Sequence, residues 1–317
     1  MDIQSFSVKD LITTDFDTKT KWPSADKLPA DFDPKKLLEN GKNPGLGIKN
    51  LHNEGITGQG VIVAIIDQKL DINHPEYSDS IKSYDEHKKA KKEPVSMHGP
   101  AVASLLVGQS CGVAPGAKLI YKAVPSGKRN FSPWAEALND IIENNKKVDT
   151  NEKVKVVSCS IGYWSGKEEP GLNEWIKTQK KAEKEGIIII DTRGDQIDIL
   201  FDGGGSQNDK DNFEKYMPAL FEHDDEPSGE EIIVPSDYRT IASSYNEKKQ
   251  YMYNGQGGLS WSVPYIAGIF ALALQVNPDI KQEQLSEIIK ETVTINEKGL
   301  KIINPKKIIK RVKETIN

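Results

Sequence analysis

Three short segments carry side chains that could do chemistry. DQKLDINHPE puts Asp67 at the end of a β-branched run. SMHGPAVASLLVG puts His98 at the start of a helical one, and GGLSWSVPYIAG puts Ser260 where a long apolar stretch begins. A serine hydroxyl is a weak nucleophile at its own pKa and needs an adjacent base. Histidine can take that proton near neutral pH and return it to a leaving group. An aspartate behind the histidine fixes its tautomer and steadies the imidazolium. Singly, each residue has a plainer reading. A strand-end Asp caps a turn, a His before Gly is satisfied in a loop, and Ser is a favoured helix N-cap. A helix start at Ser260 also sets backbone N–H groups and a positive dipole end near a developing oxyanion.

These residues need elements to hold them. GVIVAIID (60–67) has the composition of a strand buried on both faces. Residues 98–108 read as a helix, 117–124 as a strand, 133–147 as an amphipathic helix and 154–162 as a strand. A helix over 172–186 and a strand over 187–191 follow. Alternation of this kind predicts an α/β fold with a parallel sheet and helices on both faces. Active groups in such sheets sit at the carboxyl ends of strands. Asp67, the segment Ser160–Gly162 and the Gly194–Asp195 turn all fall there. Residues 1–45 are polar and proline-broken and read as an extended arm. Residues 196–231 are acidic and Gly-rich and read as a surface insertion with one short helix. A C-terminal helix over 278–293 is followed by an edge strand and a last helix. Residues 46–317 form the main domain.

The 317 residues carry a net charge of −5, which argues against nucleic-acid binding. The Lys-rich stretches at 88–92 and 301–313 read as solvated faces. Cys111 and Cys159 lie in no metal-ligand spacing, and two cysteines fit a reducing compartment. The N-terminus shows no basic start followed by an apolar run, and no stretch reaches 18 uninterrupted apolar residues. A cytoplasmic protein without a membrane partner is expected.

The order Asp, His, Ser, each with its own flanking pattern, resembles the subtilisin-like serine proteases, the subtilase family. The matching segments are Asp67…His74-Pro75, His98-Gly99 followed by Ala101-Val102-Ala103, GVAPGAKL (112–119), and Gly258-Leu259-Ser260…Pro264…Ala267-Gly268. The resemblance spans roughly residues 45–290. It implies a subtilisin-like three-layer α/β fold and a serine endopeptidase acting on peptides or proteins. Asp67 would orient, His98 would be the general acid/base and Ser260 would attack. It also implies that Ser160, Ile161 and Gly162 line the substrate cleft, with Gly194 beside them. Tyr163 and Trp164 read equally as pocket walls and as packing aromatics.

The sequence departs from the family pattern at three positions. Asp195 stands where the family has an oxyanion-hole Asn. A neutral amide donates a hydrogen bond, whereas an ionised carboxylate only accepts. The alternative function is therefore a weak or inactive pseudoprotease that binds peptides. Pro100 and Leu259 replace threonines and should alter packing only. No cofactor or metal is expected. Asp209, Asp211, Glu222, Asp224, Asp225 and Glu226 offer structural calcium a set of ligands, but they read as a solvated loop. The arm at 1–45 is shorter than a folded pro-domain, and one expectation is that it crosses the cleft and inhibits.

Overall fold

The computed structural model of the chain describes residues 2–127, 129–163, 167–192, 200–219, 231–244 and 250–316. The first 45 residues, expected to be extended, fold onto the body. Helix α1 (Val8–Ile12) begins at Ser7, whose hydroxyl accepts from the Asp10 N–H. A two-residue strand, β1 (Phe16–Asp17), follows. Helix α2 (Pro34–Gly41) begins at Asp33, whose carboxylate accepts from the N–H groups of Lys35 and Lys36. Both are side-chain N-caps, and Pro34 sits in the first turn, where its missing N–H is harmless. The prolines that hid periodicity here mark helix starts and turns.

A short helix, α3 (Ile48–Asn53), leads to the main sheet. Its strands are β2 (Ile62–Asp67), β3 (Ile81–Glu86), β4 (Lys118–Ala123), β5 (Val154–Cys159) and β6 (Ile188–Asp191), in spatial order β3-β4-β2-β5-β6. All neighbours are parallel. Helices α4 (His98–Val107), α5 (Ser132–Asn145) and α6 (Leu172–Lys184) make the crossovers. Alternate residues of β2 serve opposite faces, as strand geometry requires. Ile62, Ala64 and Ile66 pack with residues of α5 and α6, while Val63 and Ile65 join the core formed with α4. The α/β architecture read from the sequence is present. Cys159 belongs to the α5–α6 side of that core, and both cysteines are buried and unpaired.

The segment at 196–231 departs from its reading as a loop with one short helix. Strand β7 (Leu200–Gly204) and strand β8 (Met217–Pro218) lie within it. They join β9 (Ile232–Pro235) in a second sheet. That sheet is completed by β12 (Thr294–Ile295) and β13 (Lys301–Ile302), in the order β12-β13-β9-β7-β8. The expected C-terminal edge strand is β13, paired with β12 as a short hairpin, whereas β7 and β9 pair across the acidic stretch and are too short for alternation to announce them. A third sheet consists of β10 (Arg239–Ser243), β11 (Gln250–Asn254) and the arm strand β1, with β11 in the middle. Phe16 stacks on Tyr253 at 4.9 Å and meets Trp22 edge-on at 5.2 Å, so the arm has its own apolar cluster against this sheet.

Helix α7 (Leu259–Val276) runs through the interior against α4, β5 and β9. It is long and apolar enough to cross a membrane, and most of it is buried here as a core helix. Helices α8 (Gln282–Glu291) and α9 (Pro305–Lys313) close the chain.

Candidate active site

Asp67 is the last residue of β2 and is buried. His98 is the first residue of α4. Its Nδ1 lies 2.7 Å from Asp67 Oδ1. The residue after His98 explains how this pair is assembled. A Cβ on Gly99 would lie 2.5 Å from the Gln68 carbonyl oxygen and 2.8 Å from that of Lys69. Only glycine lets the start of α4 come this close to the chain leaving β2. Asp67 Oδ1 also accepts from the Gln68 N–H at 2.7 Å, which fixes the carboxylate. Asp67 Oδ2 is buried and finds no hydrogen-bond partner among the described residues. Burial pushes the His98 pKa down, but the Asp67 charge and its hydrogen bond outweigh that, and the net shift is upward. The His98 side chain keeps 20% of its surface exposed, so one side of the ring is held and the other is open.

Ser260 is the second residue of α7 and is half-buried. The next residue, Trp261, has its ring 5.3 Å from the His98 imidazole, so the first turn of α7 lies beside the histidine. Pro264 sits inside this helix. It has no N–H, so it leaves the carbonyl four residues earlier, that of Ser260, without its helical donor. The Ser160 hydroxyl donates to that carbonyl at 2.9 Å. The segment Ser160–Gly162, just beyond β5, is thereby tied to the turn that carries Ser260.

Ser160, Ile161 and Gly162 are all half-buried. Tyr163 meets Phe131 edge-on at 6.1 Å, in line with its packing reading. Gly194, Asp195 and Trp164 lie outside the described residues. Among the described residues no cluster of acids, histidines or cysteines could hold a metal ion. Of the acidic segment, Asp211 accepts from the Gly47 N–H at 2.8 Å, and 220–230 lie outside the described residues.

Two features escaped the sequence reading. Arg129 donates through Nη2 to the Gly162 carbonyl and pairs through Nε with Glu169 at 2.8 Å. A lone Arg in a loop gives no local sign of this. The arm also reaches the loop before Ser260. Asp15 accepts from the Gly255 N–H at 3.0 Å, and a Cβ on Gly255 would lie 2.3 Å from the Thr13 carbonyl carbon. Among the described residues, no backbone hydrogen bond joins the arm to Ser160–Gly162.

Residues 58–219, which include Asp67, His98 and Ser160–Gly162, match the subtilase family, Peptidase_S8. The chain belongs to the subtilase family. By family it is a subtilisin-like serine endopeptidase, a hydrolase. This subtilase is 25% identical over 259 residues to the major intracellular serine protease of Bacillus subtilis (strain 168), with 74% of each chain covered. It is 24% identical over 278 residues to kexin of Saccharomyces cerevisiae, covering 78% of this chain but 33% of kexin, so it spans about a third of that relative. The solved structure of the prenylagaramide maturation protease PagA shares its fold. The TM-score is 0.61 at 18% identity, with 84% of this chain and 98% of that one covered.

Proposed function

We propose that this subtilase cleaves peptide bonds through an acyl-enzyme, with Ser260 as nucleophile, His98 as general acid and base, and Asp67 as the carboxylate that orients His98. The 2.7 Å contact between His98 Nδ1 and Asp67 Oδ1 carries this reading. With Nδ1–H donated to Asp67, the free lone pair lies on Nε2, where a base must have it. Ser260 Oγ attacks the scissile carbonyl as Nε2 takes its proton. Nε2 then protonates the leaving amine, and water repeats the sequence on the ester. The upward shift at His98 suits a residue that must become a cation beside a buried carboxylate.

The Ser260 N–H, at the start of α7, would face the oxyanion together with the region of Asp195. The substrate is an extended peptide lying along Ser160–Gly162, held by main-chain bonds. No cofactor enters this chemistry. A cytoplasmic location is supported by two unpaired cysteines and by the intracellular relative. For the arm, the contacts favour a brace over a plug, since they run to β11 and Gly255.

The test is labelling by a fluorophosphonate probe from pH 5 to 8 on wild type, Ser260→Ala and Asp195→Asn. Labelling that needs Ser260 supports an activated nucleophile. A rise in Asp195→Asn at neutral pH identifies Asp195 as a weakened oxyanion donor. No labelling of folded wild type would favour the peptide-binding pseudoprotease, the reading that Asp195 itself raises.

A further inference from the structure

Arg239, the first residue of β10, is 0% exposed. Its Nη2 donates to the Cys111 carbonyl at 2.9 Å. Among the described residues its Nε and Nη1 find no hydrogen-bond partner. An arginine stays protonated even when buried, so this is an enclosed positive charge with most of its donors idle.

Among the described residues no carboxylate forms an ion pair with it, although Asp211 lies near Tyr216, Tyr265 and Lys210. Its near neighbours are Cys111, Tyr265 and Tyr216. Burial raises the pKa of all three groups, so they remain uncharged at neutral pH. Lys210 is buried close by and donates to the Tyr238 carbonyl at 2.6 Å, and burial and the Arg239 charge hold its pKa well below the usual lysine value. The nearby carboxylate Glu76 is occupied. It accepts from the Ser110 and Cys111 N–H groups, the Ser110 hydroxyl and the Tyr251 hydroxyl, at 2.6 to 2.8 Å. Asp237 accepts from the Gly257 N–H at 2.6 Å. A buried charge left without a counter-charge is costly. Water would satisfy the idle donors but would not neutralise the charge.

We propose that Arg239 holds a small monovalent anion of halide size, buried where β10, the Cys111 loop, α7 and the end of the N-terminal arm meet. The walls come from Tyr216 and Tyr265, whose hydroxyls donate to the Lys210 carbonyl at 2.9 Å and the Gly45 carbonyl at 3.4 Å. Those bonds and the Leu46 N–H, which donates to the Lys210 carbonyl at 3.0 Å, stitch the end of the arm over the site. An anion there binds only the folded chain, so it acts as a stabiliser by mass action. The proposal stands whether or not the active site cleaves peptides.

The experiment is thermal unfolding of the full chain in sodium chloride or sodium bromide, against sodium sulfate at matched ionic strength. The expected result is a saturable rise in Tm of a few degrees with either halide. Sulfate should give only the gradual, non-saturating rise of an excluded salt. Arg239→Met should lose the saturable component. Crystals of the wild type grown in bromide should show anomalous density beside Arg239, which keeps the test open if the variant fails to fold. Equal, non-saturating curves in chloride and sulfate, or bromide crystals without density at Arg239, would overturn the proposal.

Discussion

The two halves of the candidate site are built differently. Asp67 and His98 are 31 residues apart, on β2 and the helix that crosses beside it, and Gly99 permits the close approach that joins them. Ser260 depends on contacts from far along the chain. The loop before it is held by Asp15, 240 residues away in sequence, and more locally by Asp237 through the Gly257 N–H. The base is a product of local folding. The nucleophile is placed by long-range assembly, so it should be the half that fails first.

The largest effects should treat the halves alike. Ser260→Ala and His98→Ala should each lower kcat/KM by on the order of 10⁴-fold or more, the size known for this triad in subtilisin, with Tm little changed in Ser260→Ala. Residual cleavage at the wild-type rate in either variant would remove the triad altogether. Phe16→Ala should separate the halves. Phe16 is 6% exposed, and losing it should cost about 3–5 kcal/mol in urea unfolding. Probe labelling of the folded fraction should fall too, while the low-field Nδ1 proton of His98 persists in NMR spectra. If labelling rises instead, the arm is a plug and the brace is wrong.

Ser160→Ala should act on the seam between substrate segment and nucleophile. The lost hydrogen bond, about 1 kcal/mol, should appear as a fall in kcat of roughly fivefold to tenfold. The pH profile sharpens the base half. With the His98 pKa raised above 6.5, the acid limb of kcat/KM should lie above that value, since only the neutral imidazole is a base. The stability supplied by the His98–Asp67 pair has the opposite sense. It is complete below the unfolded histidine pKa and is lost as pH rises through the folded one. Asp67→Asn should remove both trends. The smallest effect belongs to Arg129. Its side chain occupies the Gly162 carbonyl, an acceptor that the proposed extended peptide would use. Arg129→Ala should lower KM for long peptides by about 2–5-fold and leave small esters unchanged.

The same contrast governs what was legible in the sequence. The main sheet declared itself because each strand and its following helix are contiguous, and β2 is apolar throughout. Asp67, His98 and Ser260 stood out by flanking pattern. Of the second and third sheets only the C-terminal edge strand was legible, because the remaining strands have two to five residues and several pair across long gaps. Phe16 meets Tyr253, and Leu200 meets Ile232 across the acidic stretch. No periodicity exists in two residues, so β1 could not be read before β11 was placed. The role of Gly99 was likewise hidden. A His-Gly pair can be seen in the sequence, but the carbonyls that forbid a side chain there belong to another segment.

Pro264 has one more implication. By withholding a donor from the Ser260 carbonyl, it lets the hydroxyl of Ser160 take that place. The residue proposed to receive the peptide and the residue proposed to attack it then share one mechanical joint. A push on the substrate segment is felt at the nucleophile, so affinity and turnover cannot drift apart freely under mutation. Attempts to widen peptide preference by reshaping Ser160–Gly162 should therefore carry a penalty in speed. Changes on the far side of the cleft, away from that joint, offer the freer route to new selectivity.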